Sequence, residues 1–279
     1  MKSQSQAVLK FESYGVWSNV YNNNATSSSQ YTWVFNRLDC NQTCLFSSES
    51  PTNPFLRCID IKLVSELFHK KGALVCIDGT FATLTQVINY CKDQASTSIL
   101  FQVPAGCISG SMKLISEIRT LHHILGGALN PNAAYLIIRG MKTLHLLVQQ
   151  QTSTALRMAK ILEAHPKVAH AYYPGLPSHP EHQLAKRQMT GFGGVVNIEI
   201  DGDLMRTIKF VDALKIPYIA PSFGGCESIV DQPAMISYWD LSQSDRIKYG
   251  MKDNLVRFSF GVEDFEDLND DLLQALETI

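Results

Sequence analysis

The sequence predicts an α/β fold with a separate α+β module at its C-terminal end, and three observations carry that prediction. From Cys44 onward, short apolar runs of strand length alternate with segments whose apolar residues recur at helical spacing, the order of a βαβ unit. The first two of those runs lead to acidic residues, Glu49 and Asp78. Beyond Lys167 the texture changes to short strands, turns and two helices.

Cys44-Leu45-Phe46 is the first strand. Ile61, Val64, Leu67 and Phe68 then share one helix face, with Asp60 placed to cap the N-terminus and Gly72 to stop the helix. Ala73-Leu74-Val75-Cys76-Ile77 is apolar at every position, which predicts a strand buried in a parallel sheet with helices on both faces, over roughly 45–130. In such sheets ligands gather at the carboxyl ends of the strands, where Glu49 and Asp78 both fall. Leu114, Ile115, Ile118, Leu121 and Leu125 mark an amphipathic helix closed by Gly126-Gly127. Asn130-Pro131 opens the next one, a capping side chain followed by proline at the first helical position.

Leu144, Leu147, Val148, Ala155, Met158, Ala159 and Leu162 form one face of a long helix that stops near His165-Pro166 and links the two parts. In the C-terminal part Val195–Ile200 and Leu255–Phe260 read as strands, and 204–214 and the segment through Leu268, Leu272 and Leu276 as helices. Residues 1–43 show no sustained periodicity, and Tyr21-Asn22-Asn23-Asn24 with Ser27-Ser28-Ser29 is loop-like. The division expected is a disordered 1–43, a partial cofactor-type domain with its connecting helix over 44–164, and an α+β domain over 165–279.

Composition narrows the function classes. Charged residues make up 18% of the 279, and the net charge of −2 gives no electrostatic reason to expect nucleic acid or an anionic membrane as partner. No apolar run approaches the ~18 residues that cross a bilayer. Seven scattered cysteines, an odd number, do not form a disulfide framework, and Cys40 and Cys44 lack a second pair at metal-ligand spacing. No metal is expected. The first thirty residues contain a glutamate, two lysines and no arginine, unlike a transit peptide, which leaves the cytoplasm as the default compartment.

The chemistry lies in longer motifs. Glu49-Ser50-Pro51-Thr52-Asn53-Pro54 follows one strand and Asp78-Gly79-Thr80-Phe81-Ala82-Thr83 the next. Leu121-His122-His123-Ile124-Leu125-Gly126-Gly127 runs into Asn130-Pro131-Asn132-Ala133-Ala134-Tyr135. Pro221-Ser222-Phe223-Gly224-Gly225-Cys226-Glu227-Ser228 and Leu255-Val256-Arg257-Phe258-Ser259-Phe260-Gly261-Val262-Glu263-Asp264 come later. Over 45–83 and 105–279 these stretches resemble the Cys/Met-metabolism family of pyridoxal-phosphate-dependent enzymes, most nearly its plant cystathionine γ-synthase branch.

The resemblance implies an aspartate-aminotransferase-like (fold type I) large domain, here partial, followed by the C-terminal α+β domain. It implies pyridoxal phosphate as cofactor. Asp78 matches the carboxylate beside the ring nitrogen, where a negative charge keeps that nitrogen protonated. Asn53 matches the residue that hydrogen-bonds the ring hydroxyl, and Thr80 one that lies against the ring. Arg257 matches the arginine that grips the substrate α-carboxylate, a role suited to a planar, always charged, bidentate donor. Ser222 matches a serine lining the substrate pocket, and Glu227 the acid that orients the amino group of the incoming amino acid. Outside the motif, Asp78, Asn53 and Thr80 would read as turn residues, Arg257 as a solvated strand arginine and Glu227 as a loop charge. His122-His123 reads as packing or surface.

Family members follow the aspartate strand with a longer segment carrying Ser-x-Thr-Lys, whose lysine bonds covalently to the cofactor. Residues 84–104 stand in that place, with Leu84 instead of the usual proline and a single lysine, Lys92, out of context. No catalytic residue is therefore assigned, and covalent attachment of the cofactor is not expected. The implied function is a transsulfuration step of methionine biosynthesis, γ-replacement joining cysteine to an activated homoserine ester, in a chain inactive alone. The alternative is a non-catalytic relative, a partner subunit or a copy without function. The expected partners are small amino-acid substrates and either further copies of the chain or an intact family member. The family resemblance implies the plastid as compartment.

Overall fold

The computed structural model describes residues 45–82, 95–100, 105–127, 129–221 and 224–279. The loop expected over 1–43 lies outside them. The first sheet starts with β1 (Leu45–Glu49) and β2 (Leu74–Asp78), parallel and in register from Leu45 opposite Leu74 to Glu49 opposite Asp78. Between them runs α1 (Ile61–His69), whose N-terminus is capped as expected, the Asp60 carboxylate accepting the Leu63 N–H at 3.0 Å. Its buried face of Ile61, Val64 and Phe68 packs on Phe46, Val75 and Ile77. Phe46 and Phe68 stack with ring centroids 4.3 Å apart.

Two features depart from the sequence reading. Residues 95–100, read as part of an unmatched stretch, form β3 (Ala95–Leu100), parallel to β2 and antiparallel to β4 (Ala105–Ser109). Secondly, helices do not cover both faces of this sheet among the described residues. Leu45 and Leu74, at 40% and 48% exposure, mark its open side. The helices that follow, α2 (Met112–Leu125) and α3 (Pro131–Met141), are capped by Ser111 and Asn130, and α2 ends on Gly126 at φ 74°. Their apolar faces point outward, with Ile124, Leu125, Tyr135 and Ile138 all exposed. A four-stranded sheet gives them too little surface to cover.

The long helix α4 (Leu144–Ala164) buries Val148, Thr154, Ala155, Met158, Ala159 and Leu162. The second sheet contains β5 (Val168–Tyr172), β6 (Val195–Ile200), β7 (Tyr218–Ile219), β8 (Ile229–Asp231) and β9 (Leu255–Ser259), in the order β5-β6-β9-β8-β7. The helices among them are α5 (His182–Gln188), α6 (Leu204–Ala213), α7 (Gln243–Lys248) and α8 (Phe265–Glu277), two more than the sequence reading assigned to this part. Val196, Ile198, Ile200, Val256, Phe258 and Phe260 point to one side and form the main core with α4, α6 and α8. The alternation in β6 and β9 therefore sends Asn197, Glu199, Leu255, Arg257 and Ser259 to the other side. That side is buried as well: Val195 packs with Leu56 and Phe81, and Leu255 with Tyr238, Met251 and Phe55.

Polar contacts tie the segment after β1 to the C-terminal part. Arg57 donates to both carboxylate oxygens of Glu181 through Nε, at 3.0 and 2.8 Å, and to Oε1 through Nη2. Gln188 Nε2 donates to the Ile59 carbonyl at 2.8 Å. Burial lowers His179 beside this pair to a pKa of about 4, so it stays neutral, and raises the Cys58 thiol to about 12, so it stays protonated. Gly193, at φ 81°, lies so close to the turn after β2 that a Cβ would sit 2.4 Å from the Phe81 carbonyl oxygen.

Two predictions follow from these contacts. Arg57→Ala leaves the Glu181 carboxylate, 6% exposed, without its counter-charge, and is expected to cost about 3 kcal/mol in urea denaturation. The paired change Arg57→Met with Glu181→Leu should cost clearly less than the single one. The second concerns Glu49, whose pKa burial pushes above its ordinary 4.5, the Asn53 N–H pulls down and nearby Asp78 pushes up, with a net rise. A carboxyl raised in the folded state contributes stability below its unfolded pKa and loses it as pH climbs through the folded value. Thermal unfolding should therefore show Glu49→Gln gaining on the wild type as pH rises above about 4.5.

Candidate active site

At the carboxyl edge of the first sheet, β2 ends on a half-buried Asp78. Its carbonyl accepts the Ser50 N–H at 3.0 Å, which holds the neighbouring strand end beside it. Its side chain is oriented by the turn that follows: Oδ1 accepts the Thr80 N–H at 2.9 Å and the Thr80 hydroxyl at 2.5 Å. Oδ2 takes no hydrogen bond among the described residues. Phe81, in the same turn, is buried against Val195 and Leu56 and anchors it to the second sheet.

The segment after β1 closes on itself. Thr52 N–H donates to the Arg57 carbonyl at 2.9 Å, and the Thr52 hydroxyl accepts the Arg57 N–H at 3.0 Å. Ser50 Oγ accepts the Ile59 N–H at 3.2 Å. Within this loop the Asn53 N–H donates to Glu49 Oε2 at 3.0 Å, which fixes the backbone from which the Asn53 amide projects. Asn53 Oδ1 then accepts Arg257 Nη1 at 3.1 Å, across 204 residues of sequence.

Arg257 is not a solvated strand arginine; it is 2% exposed. Besides Asn53 it donates through Nη2 to the Pro221 carbonyl at 2.7 Å, and it pairs with Asp231 Oδ2 at 2.8 Å. Asp231 stands directly opposite Arg257 in the β8–β9 ladder, and Asn197 directly opposite it in the β6–β9 ladder. The Ser237 hydroxyl donates to Asp231 Oδ2 at 2.5 Å. Burial pushes the Asp231 carboxyl above its ordinary pKa, while Arg257 and the Ser237 O–H pull it down, and burial dominates. The buried Asn197 amide finds no partner among the described residues at either of its atoms.

The glycine-containing loop before β8 is fastened to the segment after β9. Gly224 N–H donates to Ser259 Oγ at 3.1 Å, Gln151 Nε2 to the Gly225 carbonyl at 2.8 Å and Val262 N–H to the Cys226 carbonyl at 2.8 Å. Ser228 donates to Glu263 through both its backbone N–H and its hydroxyl. Gly261 passes so near that a Cβ would fall 2.1 Å from the Cys226 carbonyl oxygen. Glu227 itself is exposed at the loop surface.

Of the residues picked from sequence, Asn53 and Arg257 are in direct contact, as are Asp78 and Thr80, and Glu49 lies between the two pairs. Ser222 lies outside the described residues. Three participants were not picked: Asp231, Ser237 and Asn197. Pairing across strands brings Asp231 and Asn197 to Arg257, and Ser237 follows through its hydrogen bond to Asp231. His122 and His123 are exposed, and among the described residues no group of three or more His, Cys, Asp or Glu could hold a metal ion. No described helix is long and apolar enough to cross a membrane.

The family described as Cys/Met metabolism PLP-dependent enzyme matches 19–277. The chain is 75% identical over 243 residues to the chloroplastic cystathionine gamma-synthase 1 of Nicotiana tabacum, covering 84% of this chain and 45% of that protein. Against its Arabidopsis thaliana counterpart the values are 73% over 243 residues, 84% and 43%. It thus spans less than half the length of these plant relatives. A solved cystathionine gamma synthase from Xanthomonas oryzae pv. oryzae, in complex with cystathionine, superimposes with a TM-score of 0.79 at 32% identity, covering 84% of this chain and 62% of that one. By sequence match and by its fold type I architecture, this chain belongs to the Cys/Met-metabolism family of pyridoxal-phosphate-dependent enzymes.

Proposed function

We propose that the chain carries the ring-nitrogen and substrate-carboxylate sides of a cystathionine γ-synthase site, for γ-replacement of an activated homoserine ester by cysteine. The observation that carries this reading is the hydrogen bond from Arg257 to Asn53, which brings the predicted carboxylate grip of the second sheet onto the predicted ring contact of the first. Pyridoxal phosphate, the cofactor of the family, supplies an electron sink when bound. The donor set fits the ring side of that group, because Asp78 offers an acceptor oxygen at a strand end with its other oxygen fixed by Thr80.

Each residue then has a defined task. Asp78 holds a proton on the ring nitrogen, and Thr80 keeps its carboxylate aimed. Asn53 contacts the ring hydroxyl while its Oδ1 steadies Arg257. Arg257 takes the α-carboxylate, and its burial excludes the water that would otherwise weaken the charge pair. Glu227, exposed at the loop surface, receives the amino group of the incoming amino acid, and the family motif assigns Ser222 to the substrate pocket. Two units carry these tasks, 44–164 and 165–279, with the cleft between them. The plastid is the proposed compartment, consistent with the chloroplastic relatives.

A second reading is favoured by one sequence fact: Lys92 is the single lysine between Thr83 and Ala105, where the family carries its covalent lysine in Ser-x-Thr-Lys. A chain without that amine lacks the group that would attach the cofactor and shuttle protons, a loss of ~10²–10⁴-fold from the acid–base role alone. In this reading the chain is a non-catalytic partner of an intact family member.

The two readings separate in one experiment. Purified chain is mixed with pyridoxal phosphate, reduced with borohydride and mapped by peptide mass. The expected result is no lysine adduct and no cystathionine from cysteine and an activated homoserine. A specific adduct at Lys92 with turnover would make the chain an enzyme by itself. Co-purification with a co-expressed intact relative, with turnover altered by the chain, would establish the partner role.

A further inference from the structure

We infer that Asp231 is a positioning residue for Arg257, holding the guanidinium in the plane in which it meets a substrate carboxylate. The inference deepens the proposed function, and rests on it only for what Arg257 binds. Three contacts with described residues hold the guanidinium: Asn53 Oδ1 at 3.1 Å on Nη1, and the Pro221 carbonyl at 2.7 Å and Asp231 Oδ2 at 2.8 Å on Nη2. Two of these acceptors are neutral, and each belongs to a segment outside the sheet. Asp231 supplies charge and stands on β8 itself, directly across the ladder from Arg257.

A planar cation needs two fixed points on different nitrogens to lose its rotation about the side-chain axis. Asn53 gives one on Nη1, and Asp231 gives the rigid one on Nη2. Asp231 is itself locked, at 1% side-chain exposure, by the Ser237 hydroxyl on the same oxygen that meets Arg257. Its strand begins right after the loop that carries Glu227, so the placement of Arg257 and the course of that loop share one anchor. The other carboxylate oxygen, Oδ1, has no partner among the described residues. This gives a clean substitution: in Asp231→Asn the amide oxygen replaces Oδ2 and keeps both contacts, while the amide nitrogen takes the unpartnered place.

The test uses crystal structures of the full chain as wild type, Asp231→Ala and Asp231→Asn. In Asp231→Ala the Arg257 guanidinium should shift by more than about 0.5 Å, the tolerance within which a binding group must be held, and part from Asn53. In Asp231→Asn it should stay. An unmoved guanidinium in Asp231→Ala overturns the inference, and so does an equal shift in both variants. Should Asp231→Ala not fold, Ser237→Ala removes the orienting hydroxyl and should displace the carboxylate and guanidinium together; an unchanged position there has the same force.

Calorimetric titration with L-cystathionine gives the second readout. Affinity should fall by about tenfold or more in Asp231→Ala, as a misplacement of this size predicts, and be rescued by asparagine. A purely structural role would lower thermal stability in Asp231→Ala and leave affinity unchanged below the unfolding range, which would also overturn the inference. Arg257→Ala is the control for the underlying reading. If it binds cystathionine like the wild type, Arg257 is not the carboxylate grip, while the crystallographic result on Asp231 stands or falls by itself.

Discussion

The structure around the site depends on one constraint: a guanidinium buried to 2% exposure must be satisfied where the segment after β1 meets the second sheet. An unpaired buried cation would be too costly to persist, so its partners have to arrive from several parts of the chain. Asp231 comes from the neighbouring strand, Pro221 from the loop before β8, and Asn53 from the loop after β1. Each partner in turn fixes a longer segment. The Asn53 loop is held by Glu49 and Thr52, and the loop through Glu227 by Gln151, Ser259 and Glu263. The bidentate Arg57–Glu181 pair and the close approach of Gly193 to Phe81 keep the two sides from drifting apart.

Much of this was legible in the sequence because it rests on local rules. The helix caps at Asp60 and Asn130, and the glycine stop at Gly126, are short-range hydrogen-bonding and backbone effects. The face of Arg257 followed from period-two alternation between Leu255 and Ser259, since Val256, Phe258 and Phe260 claim the main core. Alternation could not reveal what covers the second face. In an ordinary antiparallel sheet that face meets water, and here every residue of β6 and β9 is buried. Asp231 and Asn197 escaped for the same reason, because their place beside Arg257 exists only once the strand order β6-β9-β8 is known, and Ser237 enters through Asp231.

The missed strand has a different cause. Ala95-Ser96-Thr97-Ser98 carries little apolar signal, and it becomes β3 by extending the ladder from β2 and pairing with β4. Tertiary pairing outweighs weak local preference there. The expectation of helices on both faces failed because an apolar run such as 73–77 predicts burial but not the element that provides it. Leu74 stays exposed, and so do Ile124, Leu125, Tyr135 and Ile138 on α2 and α3. These faces lie in a chain that spans 45% and 43% of its plant relatives' length. Apolar surface of this kind is what remains when part of a layered α/β core has no counterpart in the chain.

The order of charges through the site gives the arrangement its direction. At one end Asp78 and Glu49 stand opposite each other at the carboxyl ends of the parallel pair β1–β2, and at the other Asp231 backs Arg257. Asn53 joins the ends, its N–H on the Glu49 carboxylate and its Oδ1 on the guanidinium. Asparagine can do this because its backbone N–H donates while its side-chain oxygen accepts. With Oδ1 accepting from Arg257, the Asn53 side-chain N–H₂ is the donor left for other contacts. The same hydrogen bond thus sets which end of the amide is turned away from the arginine, and Asn53 and Arg257 cannot be oriented independently.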